Sequence, residues 1–504
     1  MQNRNASPFR PCLNGLALAA ALALAGGVAG AGATAQDYRS LQPISDVPSP
    51  PDHPTPSGET VEITLEEAVA LGLRRNRTIR AAHLQRAAER FDLRVAERAF
   101  APSGSLRAEV VRRVNGGQTR SEASLSPGVG LTTPLGTRVD FAWQRNEPLD
   151  AGAGGMSQSA TLSVRQPLAR GAGTAVNMAP VRIARLQEQV NRLRLNATVI
   201  DTVTSIILSH RALLRAQEQV RLAEISLDRA QTLLDTNRSL VDAGRMAAAD
   251  IVQTESAVAN QEVSLLQARQ DLNSTQLSLS RLLALDARTN IIAAGPLDAS
   301  HVEVDMDRAV ALAMDNRIDV LAQEITERQA RQALVLARDR GRWDVSLFGS
   351  VTQRGGETGL NDIYEDETDV SAGIRVEIPL GDYSAEQGLI RARTNVELAE
   401  LRSADLAQAV DIQVRDAVQQ VEARWRQLET ARRARDLAER ALELELEKLR
   451  VGRTSNFQVL SLQTDLRTAD VQSLSAEIAY LNALTTLDQQ IGSTLETWRI
   501  TVEP

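Results

Sequence analysis

The chain has 504 residues, with 64 Asp and Glu against 56 Lys and Arg, and a formal charge of −8. That length exceeds one ordinary domain, and an acidic balance argues against nucleic acid as a partner. The single cysteine, Cys12, lies close to the start, so no disulfide framework supports the rest of the fold.

Arg4 and Arg10 precede an Ala/Leu/Gly-rich run from Leu13 to Ala31, which ends in Ala33-Thr34-Ala35. A basic start, an apolar stretch and an A-x-A site read as a secretory signal over residues 1–35. Phe9-Arg10-Pro11 before Cys12 is not a lipoprotein cleavage box. Removing the two signal arginines takes the charge from −8 to −10. No other stretch offers the ~18 consecutive apolar residues of a membrane helix, so any membrane crossing falls to β-strands. Residues 36–62 carry Pro43, Pro48, Pro50, Pro51, Pro54 and Pro56, the composition of an extended lead-in.

The remainder is internally duplicated. Leu65-Glu66-Glu67-Ala68-Val69-Ala70-Leu71 returns as Met306-Asp307-Arg308-Ala309-Val310-Ala311-Leu312. The first repeat spans 63–287: a short helix, alternating strands over 104–168 ending in Pro167-Leu168, then a helical hairpin over 177–285 with Gly244-Arg245 at its tip. A linker over 288–303 leads to the second repeat, 304–490. Its strands cover 343–380 and end in Pro379-Leu380, and its hairpin covers 385–490 with Gly452-Arg453 at the tip. A tail occupies 491–504. Pro167 to Gly244 is 77 positions and Pro379 to Gly452 is 73, so the two frames agree.

Six segments alternate, four in the first repeat and two in the second. Leu106, Ala108 and Val110 oppose Arg107 and Glu109; Ala123, Leu125, Val129 and Leu131 alternate with Ser and Gly; Val139, Phe141 and Trp143 oppose Arg138, Asp140 and Gln144. Ala160, Leu162 and Val164 oppose Ser163 and Arg165; Trp343, Val345 and Leu347 oppose Asp344 and Ser346; Val370, Ala372, Ile374 and Val376 oppose Asp369, Arg375 and Glu377. Segments of ~10 residues with one apolar face are the pattern of outer-membrane barrel strands, and a half-buried soluble sheet alternates identically. An even strand number in each repeat returns the chain to the side it left, placing both hairpins on one side of a membrane.

Apolar residues recur every seven along the first ascending helix: Val199, Ile206, Leu213, Val220, Leu227, Leu234 and Val241, beside Leu186, Leu193, Ile200, Ile207 and Leu214. Ile251, Val258, Leu265, Leu272 and Leu279 continue the habit downward, and Val414, Val421, Leu428, Leu442 and Leu449 repeat it in the second copy. Sustained heptads predict coiled-coil packing, and at ~1.5 Å per residue each ascending helix is about 100 Å long. In Leu442-Glu443-Leu444-Glu445-Leu446-Glu447, residues two apart lie on opposite sides of the helix. Two apolar seams on one helix predict a neighbour on each side, as in a ring.

Chemistry-bearing motifs are sparse. His53, His83, His210 and His301 stand in unrelated contexts, so no metal site is expected. No nucleophile elbow, P-loop or H-E-x-x-H is present. Gly171-Ala172-Gly173 mimics a phosphate loop, but the second repeat lacks that spacing. The expectation is no enzyme, no cofactor and no catalytic residue.

Several pieces together carry a family likeness: Ile63-Thr64-Leu65-Glu66-Glu67-Ala68, Arg165-Gln166-Pro167-Leu168 and Arg281-Leu282-Leu283-Ala284-Leu285-Asp286. With them come the tips, Ala243-Gly244-Arg245 followed by Asp250-Ile251, and Val451-Gly452-Arg453 followed by Gln458-Val459-Leu460. The chain resembles the outer-membrane efflux proteins of the TolC type over its mature length. The resemblance implies a mainly α fold with transmembrane β: a homotrimer with a shared 12-stranded β-barrel in the outer membrane, continued by a periplasmic α-helical barrel. It further implies a passive duct working with a periplasmic adaptor (membrane fusion) protein and an inner-membrane pump of the RND, ABC or MFS type. The chain departs from the family in having Arg77 and Ile318 where a proline is usual, and an added hairpin-like stretch between Glu122 and Asn146. Its own strand count per protomer, four or six, stays open.

Within that frame the expected adaptor-docking residues are Gly244, Arg245, Ala247, Asp250, Gly452, Arg453 and Ser455, with Asp250 also capping its helix. Glu443 and Glu447, four apart near the second tip, are candidate gate acids; alternatively they pair with Arg440 and Arg450 on a solvated face. A periplasmic or surface coiled-coil scaffold or adaptor with soluble β-domains is the other class the pattern permits, although an adaptor carries one hairpin and not two.

Overall fold

The computed structural model describes residues 60–502 apart from 117, 151–154, 244–246, 296, 298, 359–362, 382 and 452. The expected signal and the lead-in up to Glu59 lie outside the described residues. In chain order the elements are β1 (Thr60–Thr64), α1 (Leu65–Arg75), α2 (Arg77–Glu97), β2 (Ser103–Asn115), β3 (Gln118–Thr132), β4 (Arg138–Pro148), β5 (Ser157–Pro167), α3 (Thr174–Asn177) and α4 (Ala179–Asp242). They continue as α5 (Ala249–Leu283), β6 (Asn290–Ala294), α6 (Met306–Asn316), α7 (Ile318–Arg340), β7 (Asp344–Thr358), β8 (Ile363–Glu377), α8 (Tyr383–Arg450), α9 (Asn456–Ile491) and α10 (Thr494–Thr497). Residues 95–180 and 335–389 form one compact unit and the other described residues a second.

The first unit is a six-stranded antiparallel sheet in the order β2-β3-β4-β5-β7-β8. Of the two strand counts left open, four or six, the structure has six in this sheet: the added stretch after β2 forms β3 and β4, two full members of it. The physical reason is in the sequence itself, since both segments alternate and Gly136, at φ +92, lets the chain reverse between them.

The second unit holds α1, α5, α6, α9 and α10, most of α2, α4, α7 and α8, and the β1–β6 pair. α1 starts at a reciprocal cap: the Glu67 amide donates to Thr64 Oγ1 (3.3 Å) and the Thr64 amide to Glu67 Oε2 (2.9 Å). Its counterpart α6 is capped by Asp305, which accepts from the Arg308 amide at 3.0 Å. The bends after α1 and α6 form without proline. Asn76 and Arg317 both take extended backbone (φ −60, ψ 126 and φ −65, ψ 128). Asn76 Oδ1 then accepts from the Thr78 amide at 2.8 Å, capping α2, while its Nδ2 donates to the Leu282 carbonyl at 2.8 Å.

α4 and α8 run for 64 and 68 residues. On the seven-residue column of α4, Val199, Ile206 and Leu213 are buried in one core with Leu279, Leu283, Ile79 and Val69. The second copy builds an equivalent core from Val410, Val414, Val421, Leu428, Tyr480 and Leu487. One described helix, 174–242, does contain a stretch long and apolar enough to cross a membrane, contrary to expectation; half of that stretch is buried, as a core helix requires. Two further differences concern the connections. β1 begins inside the span read as lead-in, β6 lies in the span read as linker, and the two pair in parallel from Thr60↔Asn290 to Thr64↔Ala294. The tail is also occupied, with Leu495, Trp498, Ile500 and Val502 packed on the first core.

Candidate functional site

Strand register decides which side chains share a face, because residues directly opposite in an antiparallel pair point the same way. Leu106 lies opposite Pro127 and Ala108 opposite Leu125. Val129 faces Phe141, which faces Leu162 in turn. Leu162 faces Val351, which faces Val370. Leu347 likewise faces Ile374, and Val345 faces Val376. One apolar band therefore crosses all six strands, and Leu106, Val110, Leu162, Val164, Val351, Val370, Ile374 and Val376 are exposed on it; at one end it gives way to Arg145 and Glu147, which lie opposite Leu125 and Ala123 on the same face. A soluble protein rarely leaves so broad an apolar patch in water.

The reverse face carries Arg107, Glu109, Asp140, Arg165, Arg375 and Glu377. Arg165 and Arg170 converge on Asp344, at 2.8 and 2.9 Å, while Arg138 reaches Asp140 at 2.9 Å. The Arg375 guanidinium lies 5.3 Å above the Phe348 ring, which rests on the bare Cα of Gly373. The sheet is thus a wall with one apolar and one charged, hydrogen-bonding side.

The hairpin tips are described in part. Gly244, Arg245 and Gly452 lie outside the described residues. Ala247, Arg453 and Ser455 are exposed. Ser455 caps α9, its Oγ accepting from the Gln458 amide at 3.3 Å. Asp250 does not cap: α5 opens at Ala248 without a side-chain cap, and the Asp250 carboxylate sits in the first turn, beside the positive end of the helix dipole. Glu443 and Glu447 are exposed, and Glu447 pairs with Arg450 at 3.0 Å. The more enclosed acid lies between them. Glu445 is buried, takes a 2.9 Å bond from Lys448 and another from Thr454, and those bonds, Thr454 first, hold its carboxyl below the usual range.

Just inside the tips three buried polar side chains join the hairpins. Asn237 Nδ2 donates to Thr254 Oγ1 and to Asn456 Oδ1, both at 2.8 Å, and Asn456 Nδ2 reaches Thr254 Oγ1 at 3.0 Å. Asn237 and Thr254 are wholly buried. The signal is present in the sequence: three positions after the Val199–Val241 column lies a second one, Ala216, Ala223, Ala230, Asn237, with a polar residue in a core position where it fixes register. Phe457, exposed beside Ser455, was also missed.

α8 has a buried seam and a second, uncovered one. Ile390, Leu401 and Ile412 recur every eleven residues and Leu437 and Leu444 stand seven apart, all exposed, with exposed Val451 seven further on, just past the helix end. Val252, Val263, Leu266 and Leu277 do the same on α5. Further along the hairpins Arg211 is half-buried, donating to the Leu481 carbonyl (2.6 Å) and Thr485 Oγ1 (2.7 Å); its partial burial lowers its pKa to about 10. Among the described residues no group of three or more His, Cys, Asp or Glu side chains gathers as a metal site.

Neither a protein-family model nor a curated protein sequence matches the chain. Solved structures do. The CmeC outer membrane channel of Campylobacter jejuni matches with a TM-score of 0.66 at 12% identity, over 85% of this chain and 86% of that one. The MtrE outer membrane channel of Neisseria gonorrhoeae gives 0.65 at 15%, over 86% and 89%. The outer membrane protein VceC of Vibrio cholerae gives 0.65 at 16%, over 85% and 96%. The fold is that of the outer-membrane channels, in agreement with the TolC-type likeness of the motifs.

Proposed function

We propose that this chain is the outer-membrane channel of a tripartite export system, a passive homotrimeric duct. Fold alone does not determine function. The observation that carries the reading is the apolar face that crosses six strands in register, backed by a charged face, since that is how a barrel wall separates lipid from water. The open seams on α5 and α8 support a closed ring of helices built from several copies. The reading takes residues 1–35 as a removed signal, 63–287 and 304–490 as the two repeats, and outer-membrane lipid as the partner of the apolar face. It sets the tips, with Ala247, Arg453 and Ser455, against a periplasmic adaptor coupled to an inner-membrane RND, ABC or MFS pump, and it assigns no reaction and no cofactor.

Expression in a Gram-negative host, separation of the membranes and planar-bilayer recording test it. The expected result is a trimer in the outer membrane that conducts ions. A soluble monomer in the periplasm would refute the duct.

A further inference from the structure

Two oddities of the sequence, the added hairpin and the Gly171-Ala172-Gly173 loop, meet in the structure. The turn between β3 and β4 is closed by the Thr133 amide bonding the Thr137 carbonyl at 2.8 Å. It docks against the loop that follows β5, where the Gly173 amide donates to the Leu135 carbonyl at 3.0 Å. A Cβ on Gly136 would lie 2.3 Å from the Gly171 carbonyl oxygen, so the contact admits only glycine there. The added strands are therefore stitched to the wall at their turn and laddered on both sides, with β2 and with β5.

The outer edges of the sheet are β2, 13 residues, and β8, 15 residues, both without proline. Long, proline-free open edges are templates for pairing. An even number of antiparallel strands makes the first and last run in opposite directions, so β8 of one copy meets β2 of the next as an antiparallel pair and the ring closes. The polar side chains are on odd positions in both strands (Arg107, Glu109; Asp369, Arg375), so an odd residue must sit opposite an odd one to keep the faces continuous.

Resting on the trimeric duct proposed above, we propose that β8 pairs with β2 of a second copy of this chain and closes an eighteen-stranded barrel, six strands from each of three copies. Barrel diameter grows roughly linearly with strand number, so its lumen is about 1.5-fold wider than that of a twelve-stranded wall. That places it with the barrels of 16–18 strands that leave an open aqueous channel, and it suits hydrated cargo too bulky for the narrower wall.

The competing arrangement is physically defined. Pro127 interrupts the β3–β4 ladder, which passes from Leu125↔Arg145 to Gly128↔Ala142. A split at that point would free β2 and β3, leave β4 as the edge and return the barrel to twelve strands. With Cys12 in the signal, the mature chain offers no cysteine to interfere with disulfide scanning. Ser371→Cys in β8 is combined with Arg107→Cys, Glu109→Cys or Val111→Cys in β2, and separately with Asp140→Cys, Ala142→Cys or Gln144→Cys in β4, all in the full chain. Expected is a shift of the monomer band to covalent oligomers for at least one β2 pair and for none of the β4 pairs. Linkage to β4, or a trimer with no linkage to β2, overturns the eighteen-stranded wall. A Ser371→Cys parent that forms no outer-membrane trimer refutes the duct reading instead.

Discussion

Replacing Leu162 by Arg tests the wall directly. Leu162 is the central residue of β5, a strand with neighbours on both sides, and it faces Phe141 on β4 and Val351 on β7. Its neighbour Ser163 points to the opposite face, between Asp140 and Ser350. An arginine on the lipid face at mid-depth costs about 2–4 kcal/mol, whereas changes on the lumen face mainly tune selectivity. At 1.4 kcal/mol per decade, Leu162→Arg lowers the folding equilibrium constant roughly 30- to 700-fold. Ser163→Arg, with Asp140 across from it, should shift it within about ±0.5 kcal/mol. Urea unfolding in lipid vesicles, followed by tryptophan fluorescence, to which Trp143 on the adjoining strand contributes, measures both. Equal losses for the two arginines would refute the assignment of faces, and so would a Leu162→Arg protein as stable as the parent.

Asn237→Ala takes the donor from the Asn456 Oδ1 and one of the two donors from Thr254 Oγ1, and should cost about 1–3 kcal/mol in calorimetric stability; no loss would show that the three side chains do not pin the hairpins. His210 is fully buried with Nε2 2.9 Å from the Ile63 carbonyl oxygen, and burial holds its pKa below the ordinary value. A lowered pKa favours the neutral form in the fold, so stability present above the unfolded value of about 6.5 is lost as pH falls through it towards the folded pKa. The melting temperature of the parent should therefore fall more between pH 7.5 and 5.5 than that of His210→Gln, and parallel profiles would sink the idea. At the tips, Ala247→Trp should leave an intact trimer and abolish export; it is a cleaner test than Ser455→Trp, which also removes a helix cap worth about 1 kcal/mol. The double variant Glu443→Gln, Glu447→Gln should weaken cation preference in single-channel recordings, and an unchanged preference would assign both acids to a solvated face.

The long elements were legible because each repeats one rule many times. Seven-residue columns over α4 and α8, and strict alternation in β2 to β5, β7 and β8, accumulate a signal that no single residue carries. β1 and β6 were not legible: five residues each, they acquire an identity only by pairing with one another across more than two hundred positions. Strand number per copy needed the ladders, since alternation cannot distinguish an added wall strand from a loop hairpin. At the tips, Asp250 has the composition of a cap without the geometry, and the alternating acids near the second tip drew attention to Glu443 and Glu447. The enclosed carboxylate, Glu445, is picked out by the helix face it occupies, which depends on where the second hairpin lies.

Lys448 is the single lysine of the chain, and it sits within a turn of the end of α8, half exposed and 2.9 Å from Glu445. With residues 1–35 removed as proposed above, the protein carries two primary amines, this one and the new N-terminus. Ordinary amine-reactive dyes and short bifunctional esters become site-selective reagents, addressing the second hairpin without any engineered residue. Acylation would also erase a positive charge and release Glu445 from its ammonium partner. The same reaction that reports on this end of the hairpin would thus perturb it, and unlabelled controls are needed wherever amine coupling is used to fix the protein to a surface.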